Sequence, residues 1–190
     1  MINYCFTIIN GIIAVINTKC MNTVRFVARI LLALSRVLAL GYALSFLLSL
    51  IALSTGWSLN LIEGDQRFEI FYPFTRVPYL LGMYNRDYIL MFLLLLGLYT
   101  LFFFLVGNVF KVFTLPKLFT AYGIRQLKRF YLGNLVLPIS SAFAISLFYG
   151  IESPMVVLVI LHMLLGVFTY FMAAIFKEGF VLQNENDLIL

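Results

Sequence analysis

From Tyr88 to Val109, between Asp87 and Lys111, the chain carries no acidic or basic side chain. A segment of that length and character has few ways to fold. About 20 consecutive apolar residues, coiled as an α-helix, match the roughly 30 Å hydrocarbon core of a bilayer, and the helix pairs its own backbone groups where no water can. A transmembrane β-barrel would instead show alternating segments of about 10 residues. The run is therefore expected to be a membrane helix, and similar runs occur at about 37–54, 131–149 and 155–176. Charged residues make up only 11% of the chain and hydrophobic ones 63%, against about 25% charged in a soluble domain. The expected fold class is an all-α polytopic membrane protein with four transmembrane helices, at about 37–54, 88–109, 131–149 and 155–176, forming one domain over residues 25–190.

Residues 1–24 stand apart as an N-terminal extension. Ile2 to Ile16 is apolar but short, is interrupted by Asn3, Asn10 and Gly11, and has no basic residues ahead of it as a secretory signal would. Met21 is followed by Arg25, Arg29 and an apolar run. Two readings stay open: a true start at Met21, or an additional span over residues 2–18. Cys5 and Cys20 match no metal or redox spacing and read as free thiols. Lys19 occupies the position where a lipoprotein signal needs a small residue, so Cys20 is not expected to be a lipid anchor.

Arg25, Arg29 and Arg36 share one helical face and can reach a single interface, while Trp57 lies past the far end of the first span, where an indole anchors at the headgroups. From Thr55 to Asp87 the chain is more polar. Leu59 to Ile62 and Arg67 to Tyr72 flank the turn-prone Glu63-Gly64-Asp65-Gln66 and predict a small extracytoplasmic β-hairpin, closed off by Pro73 and Pro78. This loop is either a packed cover on the helix ends or a surface for a partner or ligand.

After the second span come Lys111, Lys117, Arg125, Lys128 and Arg129, with Pro116 as a breaker and Thr120 placed to cap a short helix. Ile124, Leu127 and Phe130 repeat on one face, with Arg125, Gln126, Lys128 and Arg129 elsewhere, as for a helix lying in the headgroup region. This segment is a topology determinant or a docking surface for acidic lipid or a cytoplasmic partner. The third span contains Asn134 and Pro138, and the short Gly150 to Pro154 turn makes it antiparallel to the fourth. His162 is the candidate intramembrane polar residue. It is expected to be neutral and hydrogen-bonded between helices, the sharper alternative being a proton-linked or ligand role.

Lys19, Arg25, Arg29, Arg36, Lys111, Lys117, Arg125, Lys128, Arg129 and Lys177 fall on one side of this topology and Arg67, Arg76 and Arg86 on the other. The positive-inside rule then places both termini in the cytoplasm, and an even number of spans is required. Anionic lipid headgroups, not nucleic acid, are the expected counterions for the net charge of +5.

The tail from Ile175 to Leu188 resembles the ending of a family of bacterial four-helix membrane proteins, domain of unknown function 2975. There a last membrane helix runs into a phenylalanine, a basic residue, a glycine and a leucine-glutamine-x-glutamate-asparagine-aspartate-leucine stretch. Phe176, Lys177, Gly179, Leu182, Gln183, Glu185, Asn186, Asp187 and Leu188 fit that pattern. Phe119-Thr120 followed by Leu127-Lys128 is similar to the family's second cytoplasmic connection, although Gly123 stands where a more polar residue is usual. The resemblance runs from roughly Arg25 to the C-terminus. It implies location in the bacterial cytoplasmic membrane and, because members are often encoded beside a small helix-turn-helix regulator, a membrane component of a regulatory pair. It brings no activity with it.

Physically, the tail puts Glu178, Glu185 and Asp187 on the basic side, where they are expected to pair with the Lys111 to Arg129 segment at about 0 to 1 kcal/mol per exposed pair. One histidine without a positioned partner gives no catalytic triad, metal cage or phosphate-cradling loop, so no enzyme activity, metal or cofactor is expected. Charges are missing from the span centres, which disfavours a coupled transporter. The expected role is a non-catalytic membrane protein that tethers a small cytoplasmic regulator through Lys117, Arg125, Lys128, Arg129, Lys177, Gln183, Glu185, Asn186 and Asp187. An oligomeric pore and an immunity-type membrane protein are the alternatives, and a homo-oligomer is compatible with each.

Overall fold

The computed structural model describes the backbone of residues 2–64, 66–149 and 153–188, and the side chains of 21–64, 66–147 and 155–185. Its elements are α1 (Ile2–Thr55), β1 (Leu59–Ile62), β2 (Arg67–Phe71), β3 (Pro78–Met83), α2 (Arg86–Phe113), α3 (Ala121–Tyr149) and α4 (Ser153–Leu188). Each helix contains a stretch long and apolar enough to cross a membrane: Met21–Thr55, Arg86–Phe113, Ala121–Leu147 and Met155–Glu185. The chain is a multi-pass membrane protein built on these helices. Their outward faces, from Phe26, Leu40 and Leu47 on α1 to Leu164 and Phe171 on α4, are exposed large apolar side chains suited to lipid.

Helices pack in chain order, α1 on α2, α2 on α3 and α3 on α4. Lipid tails are as apolar as leucine, so close backbone approach has to replace the hydrophobic effect between membrane helices. The buried positions of α1 are accordingly small: Ala28, Ser35, Ala39, Ser45, Ser49 and Ala52. Apart from the six-residue step between Ala39 and Ser45, they recur three, four and seven residues apart, which keeps one stripe on the partner helix. The Ser35 and Ser45 hydroxyls donate to the carbonyls of Leu31 (2.7 Å) and Gly41 (2.8 Å), while the Ser49 hydroxyl is buried without a partner. From the other side α2 contributes Gly97 opposite Phe46 and Gly107 opposite Ser35 and Arg36.

The connection between α1 and α2 is a three-stranded antiparallel sheet in the order β1-β2-β3. Leu59 pairs with Ile70 and Ile62 with Arg67 across β1 and β2, and the turn between them takes positive φ at Glu63 and Gly64. The sheet is larger than the two-stranded hairpin expected, because Pro78 opens a third strand instead of ending the loop. A proline is tolerated as the first residue of an edge strand, where its missing N–H is not needed. Alternation along β2 sends Phe68 and Ile70 to one face, fully buried with Ala52 of α1 and flanked by Tyr88 and Phe92 of α2. Gly82 pairs with Phe68, and a Cβ there would lie 2.6 Å from both the Phe68 and Tyr88 rings. The glycine is what lets the sheet seat on the helix ends.

α3 corrects another expectation. The basic segment and the third span form one continuous helix from Ala121, started by Thr120, whose Oγ1 accepts from the Gly123 N–H at 3.0 Å. Between Ile124 and Tyr131 no proline or glycine interrupts the helix. Leu127 and Phe130 therefore face the other helices instead of a lipid surface. They are buried, with Leu127 in one cluster with Val112, Ala173 and Phe176. Gln126, expected on the polar side, is buried as well. α4 likewise runs past 176 to Leu188 without a break.

Candidate functional site

Two places combine polar chemistry with shape. The first is the basic end of the bundle. Arg25 donates to the Pro116 carbonyl at 2.9 Å, tying the start of the first membrane stretch to the α2–α3 connection. Arg36 donates to Asn108 Oδ1 at 2.6 Å and lies 4.5 Å above the Phe104 ring, so its charge is held at the level of the last two turns of α2. Lys111, Lys117, Arg125, Lys128, Arg129 and Lys177 are all exposed around this end. Beneath them is a solid floor: Phe176 meets the Phe113 ring at 5.8 Å and the Phe119 ring at 5.3 Å.

That floor explains part of the tail pattern. A Cβ at Gly179 would come within 2.7 Å of the Phe119 ring, so only glycine allows the α2–α3 connection to close on α4. Phe176 and Gly179 are packing residues. Gln183 is half-buried on the same face of α4, while Lys177 and Glu185 point outward. Of the acidic residues expected to staple the tail to the basic loop, neither Glu178 nor Glu185 forms an ion pair among the described residues; Arg67 and Glu63, in the sheet, do so at 3.1 Å. Glu178 and Glu185 are exposed side chains, and bulk water screens such charges better than a fixed partner would. Asn186 and Asp187 lie outside the residues whose side chains are described.

The second place is a cavity of about 80 Å³ between α2, α3 and α4, lined among others by Leu98, Tyr99, Phe102, Asn134, Pro138, Ser141, Ala142, Leu158 and His162. His162 is thus brought together with Asn134 across the helix pair. Its hydrogen bond differs from the interhelical one expected: Nδ1 donates to the Leu158 carbonyl of its own helix at 2.9 Å, and its contact with a neighbouring helix is an edge-on approach to the Phe102 ring, centroids 5.3 Å apart. A carbonyl oxygen only accepts, so a proton is on Nδ1, and in the neutral tautomer that this contact selects Nε2 is an acceptor.

Asn134 is 2% exposed. Its Nδ2 donates to the Phe130 carbonyl at 2.9 Å, and its Oδ1 is buried without a partner. Four residues on, Pro138 has no N–H to give the Asn134 carbonyl. The Ser141 hydroxyl donates to the Pro138 carbonyl at 3.1 Å, and the Tyr99 ring stacks on Tyr42 of α1 at 5.5 Å. The sequence reading noted Asn134 and Pro138 without assigning them a role. An amide four residues before a proline in an apolar run was the available signal, since the pair strips donors from one patch of helix.

Among the described residues no three of His, Cys, Asp and Glu gather where they could hold a metal ion. No family model, curated protein or solved structure matches the chain, so both sites are read from their own geometry.

Proposed function

We propose that this chain is a non-catalytic protein of the bacterial cytoplasmic membrane, with both termini inside and the sheet outside, that tethers a small cytoplasmic regulator to its basic end. The observation that carries the reading is the exposed set Lys111, Arg125, Lys128, Arg129 and Lys177 mounted on a packed floor. Cations fixed on such a platform present a surface of defined shape to an acidic partner, where cations on a mobile loop would not. α4 adds reach: from Lys177 to Leu188 it continues as helix, roughly 18 Å at 1.5 Å per residue. Charge asymmetry supports the orientation, with Arg67, Arg76 and Arg86 on the sheet side against the larger basic set opposite. The tail pattern fits a regulatory pair.

The test is recovery of partners from native membranes with the detergent-solubilised protein. The paired reversal Lys128→Glu and Arg129→Glu, both exposed, should leave expression intact and remove a small acidic or DNA-binding protein from the eluate. Equal recovery with wild type and reversal would refute the tether. The polar groups around the cavity favour one second reading, an oligomeric pore. Under it, proteoliposomes should pass a small solute and His162→Ala should change the flux.

A further inference from the structure

We infer that the cavity between α2, α3 and α4 is a binding site for a membrane-dissolved molecule that enters hydroxyl first, an alcohol or a phenol on an apolar body.

The argument starts from the kind of polar atoms present. Asn134 Oδ1 is an acceptor, since its amide nitrogen is already spent on Phe130. His162 Nε2 is an acceptor in the neutral tautomer that carries its proton on Nδ1. The Asn134 carbonyl lost its helical donor to Pro138, and the Ser141 proton is engaged with the Pro138 carbonyl. These acceptors belong to residues that line one space, whose remaining lining is Leu, Phe, Val, Ile, Met, Ala and Gly together with Tyr99. A buried acceptor left without a donor loses its hydration for nothing in return. An occupant that satisfies one of these acceptors must bring a donor, and to suit the rest of the lining it must be otherwise apolar. An ether, an ester or an alkane cannot serve.

Size and access narrow the class. About 80 Å³ is roughly half of an apolar cavity that takes benzene, enough for a hydroxyl and a few carbons but not for a whole lipid. The rest of the molecule has to lie in an opening. α2 packs on α3 and α3 on α4, whereas the ring contacts between α2 and α4 are Phe102 to His162 and Phe113 to Phe176. The route we infer from the bilayer runs between α2 and α4, past the Phe102 and His162 rings. A molecule arriving from the bilayer would find the acceptors at the inner end of that slot and leave its apolar body along α2 and α4.

The probe is octanol carrying a photoactivatable diazirine, applied to the full chain in lipid nanodiscs, with labelled residues located by mass spectrometry. Labelling should fall on lining residues such as Phe102, Met155 and Leu158. An excess of unlabelled octanol should suppress it, and an equal excess of octyl methyl ether, which has no donor, should not. Asn134→Leu should weaken apparent affinity about five-fold, in line with one neutral hydrogen bond. Ala142→Phe and Val159→Phe fill the space from different helices and should each abolish lining labels. Their thermal unfolding, measured in parallel, shows which of the two is folded enough to read. Labelling spread over lipid-facing positions such as Val37 and Leu40 of α1, competition by the ether equal to that by octanol, or labels that survive a folded filling variant would each overturn the site. So would a cavity that holds water only, seen as no saturable labelling at all. None of these readouts depends on the basic end.

Discussion

The α1–α2 half of the molecule and the α3–α4 half solve the same problem, holding helices together in lipid, by different means. α1 offers α2 a stripe of alanine and serine and receives glycines in return, the sheet seals one end through Phe68 and Ile70, and Arg36 with Asn108 closes the other. Within that half Ser49 Oγ and Arg25 Nε are buried without a partner. α3 and α4 come close at Gly166, where a Cβ would meet Leu135 at 2.8 Å. Beside that contact α2 stands off far enough to leave the cavity, and the polar atoms concentrate there. The difference teaches that stability and chemistry are separated in space. A seam of small residues fixes one pair, and a proline with an amide four residues away lies beside the opening on the other.

The comparison breaks most visibly at Gly82. Gly82→Val would drive carbon into the Phe68 and Tyr88 rings, each 2.6 Å from the first added atom, and stiff rings on two elements cannot both yield. A loss of about 3 kcal/mol is expected, at the upper end for overpacking. Trp57, the one tryptophan, lies edge-on to Phe74 with centroids 5.8 Å apart, so its fluorescence reports sheet detachment during thermal unfolding. An unchanged midpoint would mean that the sheet is not seated on the helices.

A single substitution applied to both halves sharpens the contrast. Ala39 is 7% exposed in the seam, and Ala39→Phe should cost up to about 3 kcal/mol by prising α1 from α2. Ala142 borders the cavity, and Ala142→Phe should cost less than about 1 kcal/mol or stabilise, because the new ring fills space instead of creating overlap. Unfolding midpoints of the two variants in the same detergent decide it. Equal losses would show the two halves to be packed alike.

The closing contact of the first half is measured by a double-mutant cycle. Arg36→Met and Asn108→Leu should each destabilise, and the pair should show a coupling of about 1.5 kcal/mol or more, as for a hydrogen bond to a charged group that is partly sheltered from water. Additive losses would leave the 2.6 Å bond without energetic weight.

How much of this could be read in the chain follows from what lipid does to sequence patterns. The spans were legible because the hydrocarbon excludes charge, so Tyr88 to Val109 can hardly be anything else. Which faces meet was not legible from hydropathy, since the inner and outer faces of a membrane helix are both apolar. Only the recurrence of small residues, from Ala28 to Ala52, carried that information. The third strand was missed because Pro78 reads as a terminator until its edge position is known. The basic helix was read as lying on the membrane because Leu127 and Phe130 look the same facing lipid headgroups or Phe176. His162 stood out as a lone polar residue, but the cavity it borders exists only when α2, α3 and α4 are placed together.

The smallest effects test where the looseness is located. Gly41 on α1 has nothing within 4 Å of an added Cβ, so Gly41→Ala should stabilise by up to about 1 kcal/mol through helix propensity alone. The same change at Gly166 adds the same propensity but sets a methyl 2.8 Å from Leu135 Cδ2 and 3.4 Å from Asn134 Cβ. The Leu135 side chain can rotate, while the Asn134 Cβ is fixed to the backbone, so the gain should be cancelled or reversed. A difference of about 1 kcal/mol between the two variants in thermal unfolding would place a tight seam between α3 and α4 and confine the opening to the gap between α2 and α4. If Gly166→Ala stabilises as much as Gly41→Ala, α3 and α4 are loose along their contact. In that case the acceptors at Asn134 and His162 would not be held in place, and neither would meet an incoming hydroxyl in a fixed direction.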